Sequence, residues 1–257
     1  ELYLEYHRGT YTSQGYNKRM NRKMELMYRL AEFMTAMQGI KQNCLANAKQ
    51  EKLSEGWKMI LTNQFHDIIP GSSIHEVYED SRKDYAKIQD IAQSVIDSYS
   101  NEIVEDKADT FTVYNASGWT LDETICLSGE RNGVFTDENG NVLTSQVSNG
   151  NTYIKVKNVP QMGSQVIKFT NGETKAEDKA FTVNNNNIET PFYIITLNEY
   201  GQITRLFDKE NNREVLAKGE RGNVLQMFED KPLDNDAWDI DIFYQQKMKE
   251  VTDLVKM

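Results

Sequence analysis

Several features that would define a class of protein are missing from this sequence of 257 residues. It has no stretch close to the roughly 20 consecutive apolar residues that a membrane-spanning helix needs, so we expect a soluble protein without a membrane partner. It has no excess of basic residues either, because 29 Lys and Arg stand against 39 Asp and Glu, for a formal net charge of −10. Proteins that bind nucleic acids usually present a basic face, so this balance argues against a nucleic-acid partner.

The sequence contains two cysteines and begins with neither an initiator methionine nor a signal-like segment. Cys44 and Cys126 lie far apart and in different predicted domains, which favours free thiols in a reducing compartment over a disulfide. The sequence opens at Glu1 with an alternating apolar run instead of a Met or a signal-like segment. We therefore expect the chain to be part of a longer protein.

Residues 16–100 contain almost no glycine or proline, and their apolar residues recur at helical spacing. The first predicted helix has a stripe formed by Met20, Met24, Met27, Ala31, Met34 and Met37. Such a stripe suits an adaptable docking surface or, as we favour, a buried helix interface. A second helix is predicted over residues 51–65, and a third after Ser73, where Ser73-Ile74-His75-Glu76 has the form of a capping box.

Each predicted helix has one apolar side. In the second helix these residues are Leu53, Trp57, Ile60, Leu61 and Phe65. In the third they are Ile74, Val77, Tyr78, Tyr85, Ile88, Ile91, Ala92, Val95 and Tyr99. Three amphipathic helices with short connections pack most simply as an antiparallel bundle.

Residues from 109 onward have the pattern of an antiparallel β domain. Four Asn-Gly pairs, at 132–133, 139–140, 149–150 and 171–172, suit two-residue hairpin turns. Short runs with period-two alternation predict strands at 111–114, 124–127, 153–157, 165–169, 192–197, 202–207 and 224–228. The sequence thus predicts an α+β multidomain chain, with a three-helix bundle over residues 1–106 followed by a partial antiparallel β-sandwich over residues 107–257. A further division near the asparagine run at 184–187, interpreted as a loop between two sheet blocks, stays open.

The segment Asn63-Gln64-Phe65-His66-Asp67-Ile68-Ile69-Pro70-Gly71-Ser72-Ser73 is the first candidate site. A helix ends there and Pro70-Gly71 turns the chain, so His66 and Asp67 are expected to point into a junction. Imidazole is a common metal ligand, and a carboxylate accepts from sugar hydroxyls or binds metal. From the residues alone, a structural role such as capping or an ion pair is favoured over a site.

Two further polar segments have open interpretations. Residues 228–239 combine acidic residues with Trp238, which suits either a sugar-binding loop built on Asp236, Trp238 and Asp239 or an acidic surface loop anchored by a buried tryptophan. In Tyr6-His7-Arg8-Gly9-Thr10-Tyr11-Thr12-Ser13-Gln14, we favour a helix N-cap at Thr12 or Ser13.

Together these segments resemble the middle of a glycoside hydrolase family 38 α-mannosidase of the bacterial or cytosolic type. The resemblance depends on the run from Glu1 to Gln14, the Gln-Phe-His-Asp and Pro-Gly-Ser-Ser segment, Leu206-Phe207-Asp208-Lys209, and Phe228-Glu229-Asp230-Lys231-Pro232 with Asp236-Ala237-Trp238-Asp239. These motifs follow the family's order and spacing across nearly the whole chain.

The resemblance implies a cytoplasmic, retaining hydrolase of mannose-containing oligosaccharides with one zinc ion. In the family, an N-terminal α/β barrel precedes the bundle and supplies the nucleophile, the acid and the other zinc ligands. His66 then maps onto the zinc ligand that comes from the bundle, and Asp67 onto a residue that contacts sugar hydroxyls. No segment here matches the barrel, so the resemblance implies that this chain alone neither binds zinc tightly nor hydrolyses mannosides. A carbohydrate-binding module and a purely structural interaction module stay open as alternatives.

Overall fold

A computed structural model describes residues 7–44, 47–103, 109–172 and 181–253. Three long helices come first: α1 (Gly15–Gln42), α2 (Asn47–Asn63) and α3 (His75–Ile103), with a 3-10 turn at Arg8–Tyr11 before them. No described helix has the length and apolar character needed to cross a bilayer. Cys44 and Cys126 are both exposed, and neither forms a disulfide among the described residues, as predicted.

The three helices pack around one apolar core, which confirms the predicted bundle. The core consists of Met20, Met24, Tyr28, Ala31, Leu53, Ile60, Tyr85, Ile88, Ala92 and Val95. Met20 and Met24 come from the predicted methionine stripe, which is therefore a buried helix interface and not a docking surface. Each fully buried side chain of this size stabilises the fold by about 1.5–3 kcal/mol relative to its exposed state.

Three predicted inward positions are wrong. Leu61, Phe65 and Ile74 are 60%, 55% and 68% exposed. The cause is that α2 ends at Asn63 and α3 begins only at His75, so Phe65 and Ile74 lie in the connection and have left the helical period. Leu61 occupies the last turn of α2, on its outward side.

Both predicted helix caps are also wrong. The hydroxyl of Ser73 donates to the carbonyl of Asp67 at 2.5 Å and does not form a capping box with Glu76. At the start of α1 the N-cap is Gln14, in a left-handed conformation and without a side-chain cap, so neither Thr12 nor Ser13 fills that role.

Among the described residues from 109 onward there are fourteen strands, all in antiparallel pairs. They are β1 (Thr110–Asn115), β2 (Leu121–Ser128), β3 (Gly133–Thr136), β4 (Val142–Leu143), β5 (Ser145–Ser148), β6 (Asn151–Val159), β7 (Gly163–Asn171), β8 (Thr182–Asn184), β9 (Asn187–Glu189), β10 (Tyr193–Leu197), β11 (Ile203–Asp208), β12 (Arg213–Glu214), β13 (Gln226–Phe228) and β14 (Met248–Glu250).

The first seven strands form a sandwich of two sheets, as the sequence predicts. A four-stranded sheet has the order β1-β7-β3-β4, and a three-stranded sheet has the order β2-β6-β5. Their inner faces share one core, formed by Phe135, Leu143, Ile154, Val156, Val159, Ile167 and Phe169. The alternation in β6 produces this arrangement, because Ile154 and Val156 point inward while Lys155 and Lys157, the residues that follow each of them, stay exposed.

Of the four Asn-Gly pairs, one forms the predicted two-residue hairpin turn among the described residues. Asn149 and Gly150 join β5 to β6 with φ values of 49° and 76°, as such a turn requires. The pair at 139–140 lies in a longer loop, the pair at 132–133 runs into β3, and the pair at 171–172 ends β7.

The remaining strands form a five-stranded sheet, β12-β11-β10-β9-β8, and a β13-β14 hairpin. The asparagine run at 184–187 forms the tip of the β8–β9 hairpin, so it lies within one sheet and does not separate two sheet blocks. By their internal contacts the residues fall into two compact units, one of residues 10–175 and one of residues 1–9 with 176–257.

Candidate functional site

His66 and Asp67 lie in the connection between α2 and α3, just beyond the end of α2. The His66 side chain is 76% exposed, and its Nε2 lies 3.3 Å from Oδ2 of Asp67, whose side chain is 48% exposed. The ring of Phe65 contacts the imidazole at a centroid distance of 4.2 Å. An imidazole and a carboxylate therefore stand side by side on an open surface, where another group can reach them.

Polar contacts fix the end of α2 just before these residues. The amide of Asn63 donates to the Asp84 carboxylate at 3.2 Å, and its oxygen accepts from the buried Ser81 hydroxyl at 2.5 Å. The next residue, Gln64, donates to Asn21 at 3.0 Å and to Glu25 at 2.8 Å on α1. The last turn of α2 is thus tied to both of its neighbours.

Side chains from α1 and α3 also contact the backbone after His66. The Lys18 ammonium group donates to the carbonyls of Ile69 at 2.7 Å and Pro70 at 3.3 Å. The Tyr78 hydroxyl accepts from the backbone N–H of Ser73 at 2.9 Å. Burial lowers the pKa of Lys18, because a charged ammonium group loses solvation there.

The described residues offer only part of a metal site. His66 Nε2 and Asp67 Oδ2 are donor types that zinc accepts, but a structural or catalytic zinc site takes three or four protein ligands. Within the described part of the chain no three His, Cys, Asp or Glu side chains gather closely enough to hold a metal ion. The residues therefore fit a contribution to a metal centre but not a complete one.

Trp238 and Asp239, the second candidate group, belong to the other compact unit. A turn closes at Asn235, whose carbonyl accepts from the backbone N–H of Trp238 at 2.7 Å and of Asp239 at 3.0 Å. The indole is half-buried, and its N–H is buried without a hydrogen-bond partner among the described residues. Asp236, by contrast, is exposed.

The segment His7–Gly9 packs against this turn. The His7 ring meets Trp238 edge to face, with centroids 4.6 Å apart and planes at 85°. The backbone N–H of His7 donates to Oδ1 of Asp239 at 3.0 Å, and that of Gly9 donates to the Trp238 carbonyl at 2.7 Å. One oxygen of Asp239 is thus occupied by the protein itself.

This contact joins residues 7–9 to residues 238–239, two segments that are far apart in the sequence. Gly9 is buried there, and a Cβ at residue 9 would lie 3.1 Å from the carbonyl oxygens of Ala237 and Trp238. Glycine at this position was a signal for a close approach, but the sequence gives no indication of the partner more than 200 residues away. The acidic stretch also contains Glu229, which contacts Lys231 and Lys247. Hydrogen bonds from their ammonium groups, with a smaller contribution from their charges, lower the pKa of Glu229 to about 2.

The domains recognised in the sequence agree with this architecture. Residues 5–103 match the α-mannosidase middle domain, and residues 188–257 match the C-terminal domain of glycosyl hydrolases of family 38. Alpha-mannosidase G of Dictyostelium discoideum is 28% identical over 96% of this chain, and Alpha-mannosidase 2C1 of Homo sapiens is 26% identical over 98% of it. The crystal structure of a glycosyl hydrolase family 38 protein from Enterococcus faecalis has a TM-score of 0.64 and 17% identity over 87% of this chain, which shows that the fold is shared.

A helical bundle and antiparallel sheets matched by two domains of one enzyme class define a piece of a glycoside hydrolase. The chain belongs to glycoside hydrolase family 38, as its motifs predict. It spans 26% and 23% of the lengths of the Dictyostelium and human relatives, and 35% of the Enterococcus chain.

Proposed function

We propose that this chain is the central part of a retaining, zinc-dependent α-mannosidase that removes terminal α-mannosyl residues from glycans. The observation that carries the proposal is the match of two separate domains of family 38, together with relatives named as α-mannosidases along the whole chain. The exposed His66–Asp67 pair adds a chemical reason, since it leaves both side chains open to a neighbouring domain and to substrate.

In this proposal His66 holds the zinc ion together with ligands from an N-terminal α/β barrel of the same full-length protein. When bound, zinc supplies a Lewis acid for the hydroxyl groups of the mannose. The carboxylate of Asp67, 3.3 Å from the imidazole, accepts hydrogen bonds from sugar hydroxyls. A metal ligand contributed from the bundle also ties the bundle to the barrel.

Asp236, Trp238 and Asp239 are proposed as a second set of sugar contacts. Asp236 is exposed and free to accept from hydroxyls. Trp238 presents a half-buried indole, and one oxygen of Asp239 is bound to the backbone of His7. Asp239 has a second role in this proposal, because its bond to His7 orients the turn that carries Asp236.

Retaining hydrolysis needs two carboxylates about 5 Å apart, one as nucleophile and one as acid and base. We assign both to the barrel, so the 257-residue chain alone is expected to be inactive and to bind zinc weakly. We place the full-length protein in the cytoplasm, with mannose-containing oligosaccharides as its substrates.

The direct test measures hydrolysis of a chromogenic α-mannoside by the full-length protein and by the present chain, both with added Zn²⁺. Activity is expected in the full-length protein only. His66→Ala in the full-length protein is expected to abolish both activity and tight zinc binding.

His75→Ala is the matched control. Its imidazole is 77% exposed on the first turn of α3 and lies 3.4 Å from Glu79, so it resembles His66 in exposure and in its acidic neighbour. Full activity is expected in this variant. Equal losses in the two variants, or turnover by the present chain alone, would show that the catalytic and metal-binding groups are assigned wrongly.

A further inference from the structure

The connection that carries His66 and Asp67 is held by its backbone carbonyls. Four consecutive carbonyl oxygens, those of residues 67–70, lie within hydrogen-bonding distance of side-chain donors. The Asp67 carbonyl accepts from the Ser73 hydroxyl at 2.5 Å. The Tyr78 hydroxyl lies 3.4 Å from the carbonyl oxygens of both Asp67 and Ile68. The third and fourth accept from Lys18. The chain at this point is therefore fixed from α1 and from α3, although it has no regular structure of its own.

The Lys18 ammonium group binds backbone carbonyls. Its ammonium group donates to three carbonyls, those of Ser13 at 2.5 Å, Ile69 at 2.7 Å and Pro70 at 3.3 Å. An ammonium group has three hydrogens, so these bonds satisfy its full donor capacity without a carboxylate. Lys18 thus joins the backbone before α1 to the connection after α2.

Gly71 brings the same two segments into contact. Its φ of +99° is one that L residues rarely adopt, and a Cβ there would lie 2.6 Å from the Cβ of Ser13. The close approach lets the Lys18 ammonium reach carbonyls on both sides. The backbone conformation of Gly71 and the hydrogen bonds from Lys18 therefore hold residues 67–71 in one position.

We propose that Lys18 and Tyr78 are positioning residues: by fixing the backbone of residues 67–70 they place the His66 imidazole and the Asp67 carboxylate for their ligands. The inference depends on the proposed function for the identity of those ligands. Neither residue contacts the metal or the sugar in this scheme, and both act through the backbone.

The first experiment measures amide hydrogen exchange by NMR in the 257-residue chain. The N–H groups of Ile68 and Ile69 donate to the carbonyl of Phe65 at 2.9 and 3.1 Å, so they report on the connection and not directly on Tyr78 or Lys18. Loss of one neutral hydrogen bond corresponds to roughly three- to tenfold faster exchange, and loss of a hydrogen bond from a charged group to about tenfold or more. We expect that increase at both amides in Tyr78→Phe and in Lys18→Met.

Tyr85→Phe and Lys23→Met are the matched controls. Tyr85 lies two helical turns after Tyr78 on α3, is fully buried, and has a hydroxyl without a partner among the described residues. Lys23 is exposed on α1. Exchange at Ile68 and Ile69 should not change in either control. Wild-type rates at these amides in both test variants, or an equal increase at the core amides of α1 and α3, would overturn the inference.

The second experiment measures Zn²⁺ affinity of the full-length protein by competition with a chromophoric chelator. Residues that orient a metal ligand typically change affinity by tenfold or more, so Tyr78→Phe is expected to weaken Zn²⁺ binding about tenfold. Excess Zn²⁺ should restore hydrolysis in Tyr78→Phe but not in His66→Ala. Unchanged affinity in Tyr78→Phe and Lys18→Met would refute the positioning role. A wild-type protein that binds Zn²⁺ without hydrolysing α-mannosides would refute the proposed function alone, because the exchange and affinity results still decide the positioning role.

Discussion

Gly56 in α2 faces Tyr28 in α1 so closely that a Cβ at residue 56 would lie 1.7 Å from the phenolic oxygen. Tyr28 is fully buried, and its hydroxyl donates to the carbonyl of Ile88 on α3 at 3.0 Å. Burial and this hydrogen bond therefore hold the ring in its position. Glycine at 56 allows all three helices to meet at one point of the core.

Gly56→Ala is expected to destabilise the bundle. Alanine gains about 1 kcal/mol of helix propensity over glycine, but overpacking a closed core typically costs about 1–3 kcal/mol and more where the neighbour is fixed. The clash should outweigh the gain, and urea unfolding followed by circular dichroism measures the difference. Gly15→Ala is the control, because a Cβ at the first residue of α1 meets nothing within 4 Å. A stability of Gly56→Ala equal to or above that of Gly15→Ala would contradict the packing described for Tyr28.

Alkaline pH should weaken the bundle through its buried tyrosines. Burial raises the pKa of Tyr28 to about 12 and that of Tyr99 to about 12, because the phenolate form loses solvation. In the unfolded chain tyrosine ionises near its ordinary value of about 10, so between pH 10 and 12 the unfolded state has lost protons that the folded state keeps. The stabilisation is complete below about pH 10 and is lost as the pH rises toward 12.

The expected loss is on the order of 1 kcal/mol per tyrosine between pH 10 and 11. Guanidinium unfolding at pH 9, 10 and 11 measures it. Tyr28→Phe removes one of these groups and leaves Tyr99 and Tyr85, whose pKa values are also raised by burial, so its stability should fall less steeply over this interval than that of the wild type. Parallel pH profiles for the two proteins would show that Tyr28 does not contribute.

Local periodicity correctly predicted the helices and strands whose apolar residues recur on one face. The spacing of Met20 and Met24 and the alternation of Ile154 and Val156 each place side chains on one face, and both faces are core. The same reasoning failed at Phe65, because the end of α2 depends on partners from other helices. Asn63, at that end, bonds to Ser81 and Asp84, and no local rule predicts these contacts.

At the candidate site, the sequence likewise predicted the accessibility of the side chains but not the contacts that support them. The Pro-Gly turn correctly indicated that His66 and Asp67 leave the helix and become accessible. The supports of that turn, Lys18 and Tyr78, looked like ordinary helix residues in the sequence. Their role follows from three-dimensional proximity, and sequence patterns do not contain it.

The β strands after residue 180 should expose a large apolar surface. Among described residues 181–253, no apolar side chain is buried, and the buried side chains there are those of Gln202 and Asp208. Phe181, Val183, Phe192, Leu225, Met227, Leu233 and Ile242 are each more than half exposed. Exposed apolar side chains in this number, without a buried apolar core beside them, favour contacts with other molecules.

We therefore expect the 257-residue chain to bind the dye ANS and to self-associate as its concentration rises. A chain that ends at Gly172 keeps both apolar cores and should unfold cooperatively with much weaker ANS fluorescence. Fluorescence titration and analytical ultracentrifugation measure the two effects. Equal ANS binding by both chains would place the exposed apolar surface elsewhere.

Asp239 holds the N-terminal segment on the turn that carries Trp238, and this role separates it from Asp236. Its Oδ1 accepts from the backbone N–H of His7 at 3.0 Å, next to the bond from Gly9 to the Trp238 carbonyl at 2.7 Å. Asp239→Ala is expected to speed amide exchange at Gly9 about tenfold, because loss of the hydrogen bond from His7 destabilises the contact between this segment and the turn. Asp239→Asn keeps an oxygen acceptor and should retain most of the protection. Asp236→Ala removes an exposed carboxylate from the same turn and should leave exchange at Gly9 unchanged.

In the full-length protein the same variants separate a structural role of Asp239 from substrate binding. A structural role predicts that Asp239→Asn has the activity of the wild type. Direct acceptance of sugar hydroxyls by the charged carboxylate predicts a raised KM in Asp239→Asn with normal protection of Gly9.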